Sequence, residues 1–182
     1  MTEIPHDELL IPRCRAADPE ALTQLGRVYG YAVHGFLCAI LGEGVGKKER
    51  FLREAFAEAL RLYAPGKSAP SFLTLVTQAL MEILRGDPSL AKEIKTPPFM
   101  VKDLRLQWMF EAFYQLPWQE RAVLLLRLQM DFLVEEMAFI FSEPEAAVKT
   151  RLKKAREHFR QQMEERIKGQ YRELQSDARK NP

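Results

Sequence analysis

The sequence predicts an all-α protein: two small helical domains, the second built around a helix-turn-helix, joined by a proline-rich linker. Three observations carry the fold class. Apolar residues recur every three to four positions in successive stretches along the chain, the spacing that keeps them on one helical face. No stretch alternates apolar and polar residues with the period of a strand. Between Gly86 and Lys102 (GDPSLAKEIKTPPFMVK) prolines gather and the periodicity lapses, which reads as a linker. The expected division is 1–85, linker 86–102, and 103–182.

The elements follow in order. Residues 18–41 place Ala21, Leu22, Leu25, Val28, Tyr29, Ala32, Val33, Phe36, Leu37, Ile40 and Leu41 on one helical face. Asp18 is the natural N-cap and Pro19 suits the first helical position. Gly42 to Gly46 (GEGVG) breaks the pattern as a turn. Residues 47–63 resume it with Phe51, Leu52, Ala55, Phe56, Ala59, Leu60 and Tyr63, and Pro65-Gly66 stops it. Residues 70–85 repeat it with Phe72, Leu75, Val76, Ala79, Leu80 and Ile83. Beyond the linker, helices are expected over 103–115, 119–130, 133–141 and about 144–175, the last carrying the stripe Val148, Leu152, Ala155, Phe159 and Met163.

Composition narrows the function classes. The 182 residues, 47% hydrophobic and 29% charged, are long enough to bury a core, and no 18-residue stretch is free of charge, so membrane insertion is not expected. Met1 to Pro12 is acidic and lacks the basic and apolar regions of a secretion signal, so the expected location is the cytoplasm. Cys14 and Cys38 show no CxxC spacing and read as structural thiols in a reducing compartment. His6, His34 and His158 are too scattered for a metal triad, GEGVGK at 42–47 has the wrong spacing for a phosphate loop, and no other catalytic motif occurs. Glu135 and Glu136, adjacent on a helix, point about 100° apart and do not form a carboxylate pair. Neither an enzyme nor a cofactor is expected.

Net charge is uninformative as a whole, 27 basic against 25 acidic residues, or +2, but its distribution is not. Between Lys149 and Arg160 six basic residues (Lys149, Arg151, Lys153, Lys154, Arg156, Arg160) face one acid, Glu157. Lys149, Lys153, Arg156 and Arg160 fall on one stripe about a quarter turn from the apolar one. A helix docked by its apolar side would present this basic edge to solvent, either as an ordinary solvated face or as a nucleic-acid contact. A short helix at 133–141, a break at Ser142-Glu143-Pro144 and then the basic helix make a helix-turn-helix, whose second helix enters the major groove.

Leu116 to Arg160 resembles region 4 of bacterial RNA polymerase sigma factors of the extracytoplasmic-function (ECF) group, without a gap. The resemblance rests on Leu116-Pro117, Arg121, Glu136-Met137-Ala138, Val148, Arg151-Leu152 and Ala155-Arg156. The first half is similar to region 2 of the same group through ADPEAL at 17–22, Arg27-Val28-Tyr29-Gly30 and the lengths of the segments ending at Tyr63 and Arg85. The resemblance implies promoter DNA and core RNA polymerase as partners. Region 4 would read the −35 element through Glu145, Lys149, Thr150, Arg151, Lys153, Lys154 and Arg156, the cations mainly as phosphate contacts. Region 2 would bind the β′ clamp helices through Glu49, Arg50, Arg53 and Glu54.

Several positions depart from the family pattern. Arg50 and Arg53 stand where an acid and a glutamine are usual, and cations facing a partly basic partner weaken association. Ser71 and Thr77-Gln78 stand where a tryptophan and an Arg-Asn pair help melt the −10 element. Glu145-Ala146-Ala147 replaces the small hydroxyl residues at the tip of the recognition helix; Glu145 either accepts from a cytosine amino group or is an acid favoured at a helix N-terminus. Phe139, in a position normally charged, marks a partner surface or a core residue. These departures sustain a second expectation, a degenerate sigma mimic that binds an anti-sigma factor or another regulator without melting promoters. A simple helix-turn-helix repressor or activator is a third.

Overall fold

Helix α1, Asp7–Arg15, is an element that apolar periodicity does not announce. The computed structural model, which describes residues 7–41, 46–66, 69–88 and 102–180 with side chains in the last helix as far as 169, buries its Leu10, Ile11 and Cys14 despite Pro12 inside the helix. Two polar contacts fasten it. The Asp7 carboxylate accepts from the Tyr29 hydroxyl and from the Phe72 backbone N–H at 3.3 Å. The Arg15 guanidinium donates to the carbonyls of Leu60 at 2.6 Å and of Tyr63, satisfying orphan acceptors at the end of α4.

The expected helix over 18–41 is present as α2 (Pro19–Leu25), a π-helical turn (Gly26–Gly30) and α3 (Tyr31–Leu41). Asp18 caps it through Glu20 N–H at 3.0 Å and Ala21 N–H at 3.3 Å. Then come α4 (Lys48–Leu62) and α5 (Phe72–Gly86), paired antiparallel-fashion across the turn at Pro65-Gly66. Phe72 anchors the pair: its ring lies 5.3 Å from Tyr29, 6.0 Å from Phe56 and 6.1 Å from Tyr63, distances at which tilted aromatic pairs attract. Residues 89–101 of the expected linker and 42–45 of the expected glycine turn lie outside the described residues.

The second half contains α6 (Leu104–Tyr114), α7 (Trp118–Leu128), α8 (Val134–Phe141) and α9 (Glu145–Lys180). The fold is all-α, as the periodicity requires, with no strand among the described residues. No helix among them is long and apolar enough to cross a membrane.

The halves touch. Helix α3 packs on α7 and α5 packs on α8, and the buried apolar residues of both halves join in one cluster. Arg121 lies at the first junction, 1% exposed. Its guanidinium donates to the carbonyls of Tyr114 and Leu116 at 3.1 Å each, and across the junction to that of Ile40 at 3.0 Å. A buried guanidinium is tolerated where acceptors fix its donors, and the last turn of α3 offers a carbonyl from the negative end of the helix dipole.

Candidate nucleic-acid interface

The turn between α8 and α9 is built from short-range bonds. Glu136 accepts from the Leu133 backbone N–H at 2.8 Å, holding the start of α8. At its end Ser142 adopts left-handed backbone with φ 54°. This reverses the chain and lets Ser142 N–H reach Phe139 O and Glu143 N–H reach Ala138 O, each at 3.0 Å. The Pro144 carbonyl accepts from Ala147 N–H and Val148 N–H at 2.9 and 3.2 Å, so α9 starts immediately after the proline. Val148, Leu152 and Ala155 are buried, and α9 packs on α6, α7 and α8. The stripe Lys149, Lys153, Arg156 and Arg160 is exposed, as are Glu145, Thr150 and Lys154, and Arg151 is half-buried.

Of the six cations between Lys149 and Arg160, four face a carboxylate among the described residues. Lys149 Nζ lies 3.0 Å from Glu145, Arg151 pairs with Glu143, and Lys154 Nζ is 3.6 Å from Glu120. Arg160 bonds Glu157 and Glu164, and its hydrogen bond holds the Glu157 carboxyl below the usual carboxylate range. Lys153 and Arg156 carry no ion pair among the described residues. Thr150 Oγ1 donates to Ala146 O at 2.8 Å. Exposed pairs like these contribute little to stability, yet they partly neutralise the face a phosphate would meet.

Glu120 is a residue that sequence reasoning missed. Its side chain is 8% exposed and binds His158 Nδ1 at 2.8 Å, with Lys154 nearby, tying the start of α7 to the middle of α9. An acid in the first turn of a helix reads from sequence as a dipole partner. Its inward direction depends on where α9 crosses, and spacing along α7 holds no such information.

Arg151 has a second tie: its guanidinium lies 5.0 Å from the Phe141 ring. Arg85, from α5, lies 5.7 Å from the same ring and donates to Phe141 O at 3.1 Å. One ring at the end of the supporting helix thus meets a cation from each half of the chain, an arrangement favoured by the ring quadrupole. Gln78 adds a bond from its Nε2 to Phe139 O at 3.3 Å. Phe139 itself is 41% exposed beside this seam.

The positions matched to the −10 contacts are therefore engaged within the chain. Ser71 is the N-cap of α5, accepting from Thr74 N–H at 3.1 Å. Thr77 is buried and donates to Leu73 O, and Gln78 faces α8. By contrast Glu49, Arg50, Arg53 and Glu54 are exposed on α4. Arg50 lies 3.5 Å from Glu54 and 5.2 Å from the Phe51 ring. Residues 106–159 match the family model for sigma-70, region 4. No curated protein matches the chain.

Proposed function

We propose that this chain, whose residues 106–159 match the family model for sigma-70, region 4, acts in transcription initiation from the cytoplasm, binding promoter DNA through α9 and core RNA polymerase through α4. The observation that carries the reading is the exposed edge of α9, seated on α7 and α8 within the matched segment. Lys149, Lys153, Lys154 and Arg156 would meet phosphates, and Glu145 and Thr150 stand near the tip where base edges are read. The carboxylates paired with Lys149 and Lys154 must yield before a phosphate binds, so affinity for isolated duplex is expected to be modest.

The test is anisotropy on a −35-type duplex over a salt series. Lys153→Gln should weaken binding similarly on all sequences and reduce the salt slope by about one. Co-elution with core polymerase checks the second contact, and Arg50→Glu with Arg53→Gln should strengthen it if the two cations repel the clamp. Absence of both salt-sensitive DNA binding and co-elution would remove this reading.

A second reading, a sigma mimic that docks on an anti-sigma factor or other regulator without melting promoters, draws support from burial of Thr77 and the Gln78 bond to α8. Run-off transcription separates the two: specific initiation from any promoter excludes the mimic.

A further inference from the structure

A cavity of about 590 Å³ opens where α3, α6, α7 and α9 meet. That volume is in the range of small-molecule sites, roughly 300–1,000 Å³. Gly35 and Ala39 of α3 form a thin wall on one side, and Met109, Phe113, Leu125 and Phe159 supply half-buried apolar side chains on the others. No carboxylate lines it among the described residues. Its charged group is Arg156, exposed and without an ion pair among the described residues, whereas Lys149, Lys154 and Arg160 on the same helix are each paired. An apolar chamber with one uncommitted guanidinium is complementary to a molecule with an apolar body and a single negative head.

We propose that this cavity binds an amphipathic carboxylate, a medium-length acyl chain whose head pairs with Arg156 and whose tail lies among Met109, Phe113, Leu125 and Phe159. Unbranched aliphatic chains suit walls of methionine, leucine and phenylalanine, which adapt to a flexible guest. The site draws on α3 from the first half and on α6, α7 and α9 from the second, so the ligand bridges them. Because Arg156 is also a proposed phosphate contact, the head group and DNA compete for it. Binding to the DNA-free chain does not depend on the transcriptional reading, and the two can fail separately.

The experiment is calorimetric titration of the full chain with hexanoate, octanoate, decanoate and dodecanoate, each below its micelle concentration. Affinity should rise about fourfold per methylene until the cavity is full, then level off. Dodecanol and dodecyltrimethylammonium should bind at least tenfold more weakly than dodecanoate. Arg156→Gln should abolish that preference while leaving the alcohol unaffected. Leu128→Glu, a change at a cavity-lining residue that is 72% exposed, should weaken the carboxylate selectively. No saturable binding at any chain length, equal affinity for the alcohol, or an unchanged preference in Arg156→Gln would each overturn the proposal. Saturation of the cavity by a helical peptide of polymerase or regulator origin, in a chain that binds no carboxylate, would also overturn it.

Discussion

At the residue scale, Arg121 shows how one buried cation can hold two halves of a chain. Removing its side chain leaves the carbonyls of Ile40, Tyr114 and Leu116 in a dry environment without that donor, and each uncompensated acceptor is costly. Arg121→Met should therefore lower stability by about 3 kcal/mol or more, read from urea unfolding followed by tryptophan fluorescence. A loss under 1 kcal/mol would mean that water replaces the guanidinium. The cysteines offer a second contrast. Cys14 is buried, and burial pushes its thiol pKa up, whereas Cys38 is partly exposed beside His34 and Lys48. A thiol reagent reaches a partly exposed sulfur before a buried one, so in the native protein it should label Cys38 promptly and Cys14 only after unfolding. Peptide mapping of a timed labelling reaction checks the order.

At the scale of elements, Ser142 holds a left-handed conformation that costs a non-glycine residue. Ser142→Gly should raise stability by about 1 kcal/mol without altering DNA affinity, provided the turn geometry between α8 and α9 persists. Thermal unfolding and anisotropy together test both parts. The α8–turn–α9 unit was legible in the sequence because its determinants are local: the break at Ser142-Glu143-Pro144, the apolar stripe from Val148 and the basic stripe beside it. Helix α1 was not. Its support comes from Asp7 meeting Phe72 and from Arg15 meeting Leu60, partners distant in sequence, and Pro12 argues locally against a helix. The π turn at Gly26–Gly30 was likewise invisible, since the apolar spacing of 18–41 continues through it with an error too small for a period count to register. In the candidate interface, exposure of the cations was readable from periodicity. Their partners Glu120 and Glu143 were not, because pairing follows from helix crossing and turn geometry.

For the whole molecule, the decisive feature is the contact between halves that composition divides cleanly. The apolar core is continuous across them, and Phe141 sits at the seam between Arg85 and Arg151. Shared burial couples the stability of one half to that of the other. Heat unfolding should accordingly show one transition, with calorimetric and van't Hoff enthalpies in agreement. Phe141→Ala, which removes a ring that is 1% exposed, should cost about 3–5 kcal/mol and split the transition in two as the seam fails. Two transitions in the unaltered protein would show that the seam contributes little. Arg85→Ala is the milder companion, predicted to lower the single transition without splitting it.

The bond from Arg121 to Ile40 joins residues 81 positions apart, while those from Arg121 to Tyr114 and Leu116 span 7 and 5. Closing a long loop costs more chain entropy than closing a short one, and nonlocal contacts are slow to form. This gives folding a temporal order: the α6–α7 corner assembles around Arg121 first, presenting its remaining donor before the carbonyl of α3 arrives. In pulse-labelled refolding, amides of α7 should gain protection ahead of those in the last turn of α3, and the interval between them would measure how long the two halves exist as folded neighbours not yet joined.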